Sequence, residues 1–219
     1  MSSLSDILKL EDRKWHMDRF TPTFMMLGII MQVIVFRVTD ASRMSLISGV
    51  LGVISVVLCS NRKIAFYLFG FAQLFTYVLL CFEQKLYGEI AENAFYFVTM
   101  LIGLSHWLSN YNENKVAVET RKLNPAQKMW VAIGTLFGTL ITFNMLVVTD
   151  DTQPFMDSVT TVPAFVAQIL MILRYRDSWF YWLIIDVGSI IMWGIAGDWC
   201  MVAQFVFWAV NCIYGLKKW

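Results

Sequence analysis

Apolar residues fall into eight long runs separated by short polar breaks. The runs are Thr21–Val38, Met44–Ser60, Ile64–Phe82, Tyr87–Ser109, Lys128–Thr149, Phe155–Leu173, Ser178–Ala196 and Trp199–Leu216. Each approaches the ~20 residues that a helix needs to cross a bilayer. The pattern predicts an all-α integral membrane protein with eight transmembrane helices, of which the first two are the shortest. Ahead of them, Met1–Arg19 carries charges of both signs, with Leu4, Ile7, Leu8 and Trp15 towards one side. It is expected to lie on the membrane surface as a short amphipathic helix. It has no A-x-A cleavage pattern, so no removed signal peptide is expected.

The pattern also repeats. At an offset of 112, Glu92 falls on Gln204, Tyr96 on Trp208, Gly103 on Gly215, Leu104 on Leu216 and Trp107 on Trp219. Both stretches end Gly-Leu-x-x-Trp. Ala65-Phe66-Tyr67 matches Trp179-Phe180-Tyr181 at an offset of 114. Runs two to four then correspond to runs six to eight as two three-helix bundles, with run five connecting them and run one extra. An odd number of crossings per bundle plus one connecting crossing makes the two bundles parallel, as in many transporters. The expected organisation is an N-terminal segment 1–20, an extra helix 21–40, a first bundle 41–109, a linker and connecting helix 110–150, and a second bundle 151–219. Asn124-Pro125 marks the end of the long polar linker.

Composition settles the broad class. Of 219 residues, 58% are hydrophobic and 15% charged, with mean hydropathy +0.60; a soluble domain has about 25% charged residues. With eight crossings, 14 of the 17 Lys and Arg lie on one side, and only Arg37, Arg43 and Lys85 on the other. If the first run did not cross, the split would weaken to 10 against 7. The positive-inside rule then puts both termini in the cytoplasm. Cys59, Cys81, Cys200 and Cys212 lack metal spacing and read as small buried hydrophobes, with Cys81 and Cys200 both near the outer face.

Polar side chains inside apolar runs face protein or a cavity, because an Asp at the centre of a membrane helix costs roughly 3 kcal/mol on insertion scales. Four stripes at helical spacing result. Run seven presents Trp182, Asp186, Ser189 and Trp193, and run three Gly70, Gln73 and Tyr77. Run four presents Glu89, Asn93, Tyr96, Met100 and Gly103 with Glu92 beside them, and run eight Gln204, Trp208, Asn211 and Gly215. One reading is structural. Asp186 bonds a neighbouring helix, the amides make interhelical hydrogen bonds, and Glu89 is solvated at its run's outer end. The other is a central cavity in which Asp186 faces a cation or hydroxyls, the amides donate and accept, and Trp182 stacks on a flat ring. Trp107, Trp130, Trp179 and Trp219 lie near run ends and are expected in the interfacial belt. His106, at the cytoplasmic end, reads as structural. Pro163 in run six, and Gly49 and Gly52 in run two, mark places where those helices can kink.

Other chemistries lack their residues. There are two histidines, no metal-ligand cluster, no Ser/His/Asp constellation, no phosphate-binding glycine loop and no lysine in mid-run. No enzyme, metal or cofactor is expected. The remaining readings are a transporter and a non-transporting membrane receptor or assembly factor.

Glu89–Trp107, followed by Trp179-Phe-Tyr-Trp182-Leu-Ile-Ile-Asp186-Val-Gly-Ser189, resembles the Pnu family of bacterial vitamin transporters. Within it, the likeness is to members that carry nicotinamide riboside, over nearly all of the chain after residue 20. The resemblance implies a fold similar to the SWEET sugar transporters, a homotrimer, and location in the bacterial inner membrane. It implies facilitated diffusion of nicotinamide riboside without a coupling ion or cofactor, maintained by phosphorylation in the cytoplasm. In the central site it implies Trp182 for stacking and Gln73, Asn93, Asp186 and Asn211 for hydrogen bonds, with Gln204. Tyr77, Tyr96, Glu89, Ser189 and Trp208 complete the expected substrate-binding set. Relatives take thiamine or riboflavin, so another flat polar vitamin, or a sugar, stands as an alternative. No nucleic acid is expected as a partner.

Overall fold

The structure, a computed structural model, describes residues 5, 6, 8, 20–112 and 117–219. The amphipathic helix expected over Met1–Arg19 falls mostly outside the described residues. Among them are eight long helices: α1 (Phe20–Val38), α2 (Arg43–Ser60), α3 (Phe66–Gln84), α4 (Tyr87–Ser109), α5 (Pro125–Leu146), α6 (Pro154–Ile172), α7 (Ser178–Ala196) and α8 (Trp199–Lys218). Between α4 and α5, strands β1 (Tyr111–Asn112) and β2 (Ala117–Val118) form a short antiparallel hairpin. Local chemistry sets the helix ends. Asn124 accepts from Gln127 N–H and Gln127 bonds back, a capping box with Pro125 in the first turn. Asp198 caps α8 by accepting from Met201 N–H at 3.1 Å. Gly197, at φ 80°, ends α7 in the left-handed region, where a Cβ costs about 1 kcal/mol.

Seven of these helices are long and apolar enough to cross a membrane. The exception is α4. Its 23 residues suffice in length, but Glu89, Glu92, Asn93 and His106 dilute its apolar run. The short α1 and α2 are both among the seven.

Six helices close a ring in the order α2, α3, α4, α6, α7, α8 and back to α2. Outside it, α1 packs on α2 and α8, while α5 packs on α6 and buries no residue. The turns sort to two ends. At one, Val118 N–H donates to Arg62 O (3.3 Å), Arg121 N–H to Arg174 O (2.8 Å) and Trp219 Nε1 to Ser60 O (3.2 Å). At the other, Ser45 Oγ donates to Asp198 Oδ2 (2.5 Å) and Gly88 N–H to Asp157 Oδ2 (2.8 Å).

An aromatic cluster fills the first of these ends. Trp107 lies 4.9 Å from Phe66 and 5.8 Å from both Tyr67 and Trp219, and Trp179 lies 5.6 Å from Trp219 (ring centroids). Trp107 and Trp179 are therefore buried, not interfacial. Glycines make this possible. A Cβ on Gly215 would meet the Trp179 ring at 2.5 Å, and one on Gly103 would meet Ile172 at 2.6 Å and Tyr67 Oη at 2.7 Å. Trp130, on α5, stays exposed. All four cysteines are free and buried.

Candidate functional site

A cavity of about 130 Å³ lies inside the ring and takes side chains from all six of its helices. A single water needs about 10–15 Å³ by this measure, so the space suits a small organic molecule. Ser55, Val56 and Cys59 come from α2, Phe66, Gly70, Gln73 and Leu74 from α3, and Tyr96 and Met100 from α4. Gln168 and Met171 come from α6, Trp179, Trp182 and Asp186 from α7, and Trp208 and Cys212 from α8. The aromatic walls are Trp182, tilted at 57° to Tyr96 with centroids 5.8 Å apart, together with Trp179 and Trp208. The indole N–H groups of Trp179, Trp182 and Trp208 are buried without a protein partner. Asp186 is 1% exposed; its Oδ2 accepts from Cys212 Sγ at 3.1 Å, and its Oδ1 has no protein partner. Gln168 Nε2 donates to Thr99 Oγ1 at 3.1 Å, steadying its amide against α4. Among the described residues no Lys, Arg or His lines the cavity.

Of the residues singled out from sequence, Gln73, Tyr96, Trp182, Asp186 and Trp208 line this cavity. The other six lie outside its wall. Trp193 Nε1 donates to Tyr77 Oη (2.9 Å), which donates to Glu89 Oε2 (2.8 Å), a chain crossing α7, α3 and α4. Glu89 is 2% exposed, so it is not a solvated carboxylate. Asn93 Nδ2 donates to the Glu89 carbonyl of its own helix. Asn211 ties α8 to α2, accepting from Ser60 Oγ (3.0 Å) and donating to Val56 O (3.2 Å). Ser189 Oγ and both amide atoms of Gln204 are buried without a protein partner, Gln204 beside Gly52. These stripes fix a helix face but not a depth. A residue one turn above or below the cavity meets the next helix instead.

Sequence reasoning passed over Gln168, Ser55 and the sulfur side chains Cys59, Met171 and Cys212. Gln168 carried a readable signal, an amide inside the apolar run six. Cys212 lies one turn beyond Trp208 on the same face, and only its neighbour on α7 makes it more than a small hydrophobe.

Residues 42–219, from the N-cap of α2 to the last residue, match the family described as nicotinamide mononucleotide transporter. The chain is 30% identical over 206 residues to the nicotinamide riboside transporter PnuC of Neisseria mucosa, spanning 89% of this chain and 78% of that protein. It is 30% identical over 203 residues to the nicotinamide riboside transporter PnuC of Haemophilus influenzae, spanning 91% and 89%. In fold it is similar to the crystal structure of the vitamin B3 transporter PnuC, with TM-score 0.85 and 27% identity over 100% of this chain and 97% of that one. These relatives are named as transporters, in keeping with a ring of membrane-length helices around a mostly apolar cavity that carries a few polar groups. The chain belongs to the nicotinamide mononucleotide transporter family and is a multi-pass membrane transporter, not an enzyme.

Proposed function

We propose that the chain carries nicotinamide riboside across the inner membrane of a bacterium by facilitated diffusion. The cavity wall carries this reading: three indoles and a phenol, one carboxylate with an unused oxygen, two amides and no basic residue among those described. Nicotinamide riboside offers a flat cationic ring, a carboxamide and ribose hydroxyls. A cation over an aromatic face gains about 0.5–2 kcal/mol. A buried carboxylate lacking a counter-charge is costly until a cation reaches it. The same wall disfavours a mononucleotide, whose phosphate brings about −1.5 to −2 charges towards Asp186 with no Lys or Arg to offset them. The riboside named for the curated relatives therefore suits this cavity better than the mononucleotide of the family's description. Phosphorylation in the cytoplasm then traps the product, and no coupling ion is needed.

Calorimetric binding of nicotinamide riboside, nicotinamide mononucleotide, thiamine and riboflavin tests the substrate. The riboside is expected to bind and the mononucleotide not; tighter binding of thiamine or riboflavin replaces the substrate, and binding of none favours a non-transporting role. Trp182→Ala is expected to weaken riboside binding about tenfold or more, which is ~1.4 kcal/mol; unchanged affinity removes the stacking contact. Uptake into proteoliposomes that requires a proton or sodium gradient excludes uniport.

The chain's organisation follows the same proposal, with two parallel three-helix bundles, α2–α4 and α6–α8, joined by α5, and with α1 extra. A single offset of 112 supports it. The described residues with positive φ pair at that offset, Arg62 with Arg174 and Lys85 with Gly197. So do twelve cavity residues, among them Val56 with Gln168, Cys59 with Met171, Gly70 with Trp182, Leu74 with Asp186, Tyr96 with Trp208 and Met100 with Cys212. The 114 offset at Ala65-Phe66-Tyr67 gives way to this register, in which Tyr67 meets Trp179. The Arg62 and Arg174 turns both pair with the 117–123 linker at one end of the ring, which supports parallel rather than inverted bundles. On this reading α4 crosses the membrane, because it runs from the Lys85 turn at one end to the hairpin at the other. The end rich in Lys and Arg, with both termini, faces the cytoplasm, and the protomers assemble as a trimer.

A further inference from the structure

Asp186 and Cys212 meet across α7 and α8 in the cavity wall. The thiol donates to Oδ2, the one hydrogen bond this carboxylate makes among the described residues, while Oδ1 is buried and unbonded. A thiol is a weak donor. It orients the carboxyl group while drawing on its oxygen less than a hydroxyl would, since a hydroxyl binds shorter. At the 112 offset the matched residues in the other half of the cavity are Leu74 and Met100. Carboxylate and donor thus occur together at these two positions in one half, and two apolar side chains stand at the matched positions in the other.

We propose that Cys212 is a positioning residue, holding Asp186 by Oδ2 so that Oδ1 faces the bound ligand and favours a charged ring over an uncharged one. This rests on the substrate reading above. Binding of nicotinamide riboside is compared with binding of its reduced dihydro form, whose ring carries no charge. In Cys212→Ala, affinity for the charged ligand is expected to fall about threefold to tenfold, the worth of an ordinary hydrogen bond. The uncharged ligand is expected to lose clearly less, so that the preference between the two shrinks. Cys212→Ser keeps a donor and should restore most of the preference. A purely structural role would weaken both ligands alike; that result, or an undiminished preference in Cys212→Ala, overturns the proposal. A second measurement needs no ligand. The S–H stretching band, isolated as the infrared difference between the parent and Cys212→Ala, should lie below that of a free thiol and return towards it in Asp186→Asn. A band at the free-thiol position overturns the pairing whatever the substrate. A shifted band in a protein that binds neither riboside leaves the pairing intact and removes the substrate reading instead.

Discussion

The ring closes twice, at α4–α6 and at α8–α2, and the two seams share their end joints while differing in what lies between. At one end Trp107 Nε1 donates to Met171 O (3.3 Å) across the first seam, and Trp219 Nε1 to Ser60 O (3.2 Å) across the second. At the other end, Gly88 N–H donates to Asp157 across the first, and Ser45 Oγ to Asp198 across the second. Between these joints the first seam buries the carboxylates Glu89 and Glu92, while the second buries the neutral Ser48, Gln204 and Asn211. α1 packs over the second seam, whereas α5 lies chiefly on α6. Closure is thus built from joints of like placement, each with one member at a matched position (Trp107 and Trp219, Asp157 and Ser45), whereas charge and cover do not recur. A buried carboxylate without a basic partner is costly, so the first seam should hold less tightly than the second.

Moving the charge should produce the largest effect. Gln204, fully buried and without a protein partner, matches Glu92. Gln204→Glu places an uncompensated carboxylate on the neutral seam and is expected to cost about 3–5 kcal/mol. The midpoint of unfolding in detergent should fall sharply. A parent-like midpoint would mean that charge does not separate the seams.

The glycines come next. Ala at Gly215 drives a Cβ into the rigid, buried Trp179 ring, at about 2–3 kcal/mol. At Gly103 the neighbours are an isoleucine branch and a tyrosine hydroxyl, which can yield, so about 1 kcal/mol is expected. Equal midpoints for the two variants would refute the difference in rigidity. The polar joints follow. Asp157→Ala strands the buried Gly88 N–H and the Thr161 hydroxyl, at about 2 kcal/mol, against about 1 kcal/mol for Ser45→Ala. The reverse order would place the stronger joint on the neutral seam.

Much of this ring could be read from the chain, and the unread part has a physical cause. Run lengths located every helix to within a few residues, because a bilayer-length apolar run has few alternatives. Asn124-Pro125 marked the end of the linker, while the capping box that Asn124 forms with Gln127 starts α5 three residues ahead of the apolar run. Face was legible and depth was not. Asp186 and Ser189 share a stripe, yet only Asp186 reaches the cavity. Position near a run's end suggested an interfacial Trp107 and Trp179, but close approach at Gly103 and Gly215 drew both rings inside. The thiol of Cys212 acquires its partner from another helix, which no spacing within α8 could reveal. In α4 the residues that weaken its membrane signature, Glu89 and Glu92, are the ones buried at the first seam.

The smallest expected effect tests whether the matched tryptophan joints are equal in strength. Phe at Trp107 or at Trp219 makes the same truncation at both, deleting the N–H together with part of the bicyclic ring, so the hydrogen bond is read from the local comparison below. Trp107 is fully buried, so Met171 O loses its indole partner where water does not reach, at about 1 kcal/mol. Trp219 is half-buried at the chain end, where water can replace the indole N–H, so only a few tenths of a kcal/mol are expected. Differences this small are better resolved locally than by a melting midpoint. Hydrogen exchange of the 171–176 turn should speed up in Trp107→Phe more than that of the 59–64 turn does in Trp219→Phe. Equal acceleration would mean that burial does not grade these joints, leaving the seams to differ in their carboxylates, their outer joints and the cover of α1.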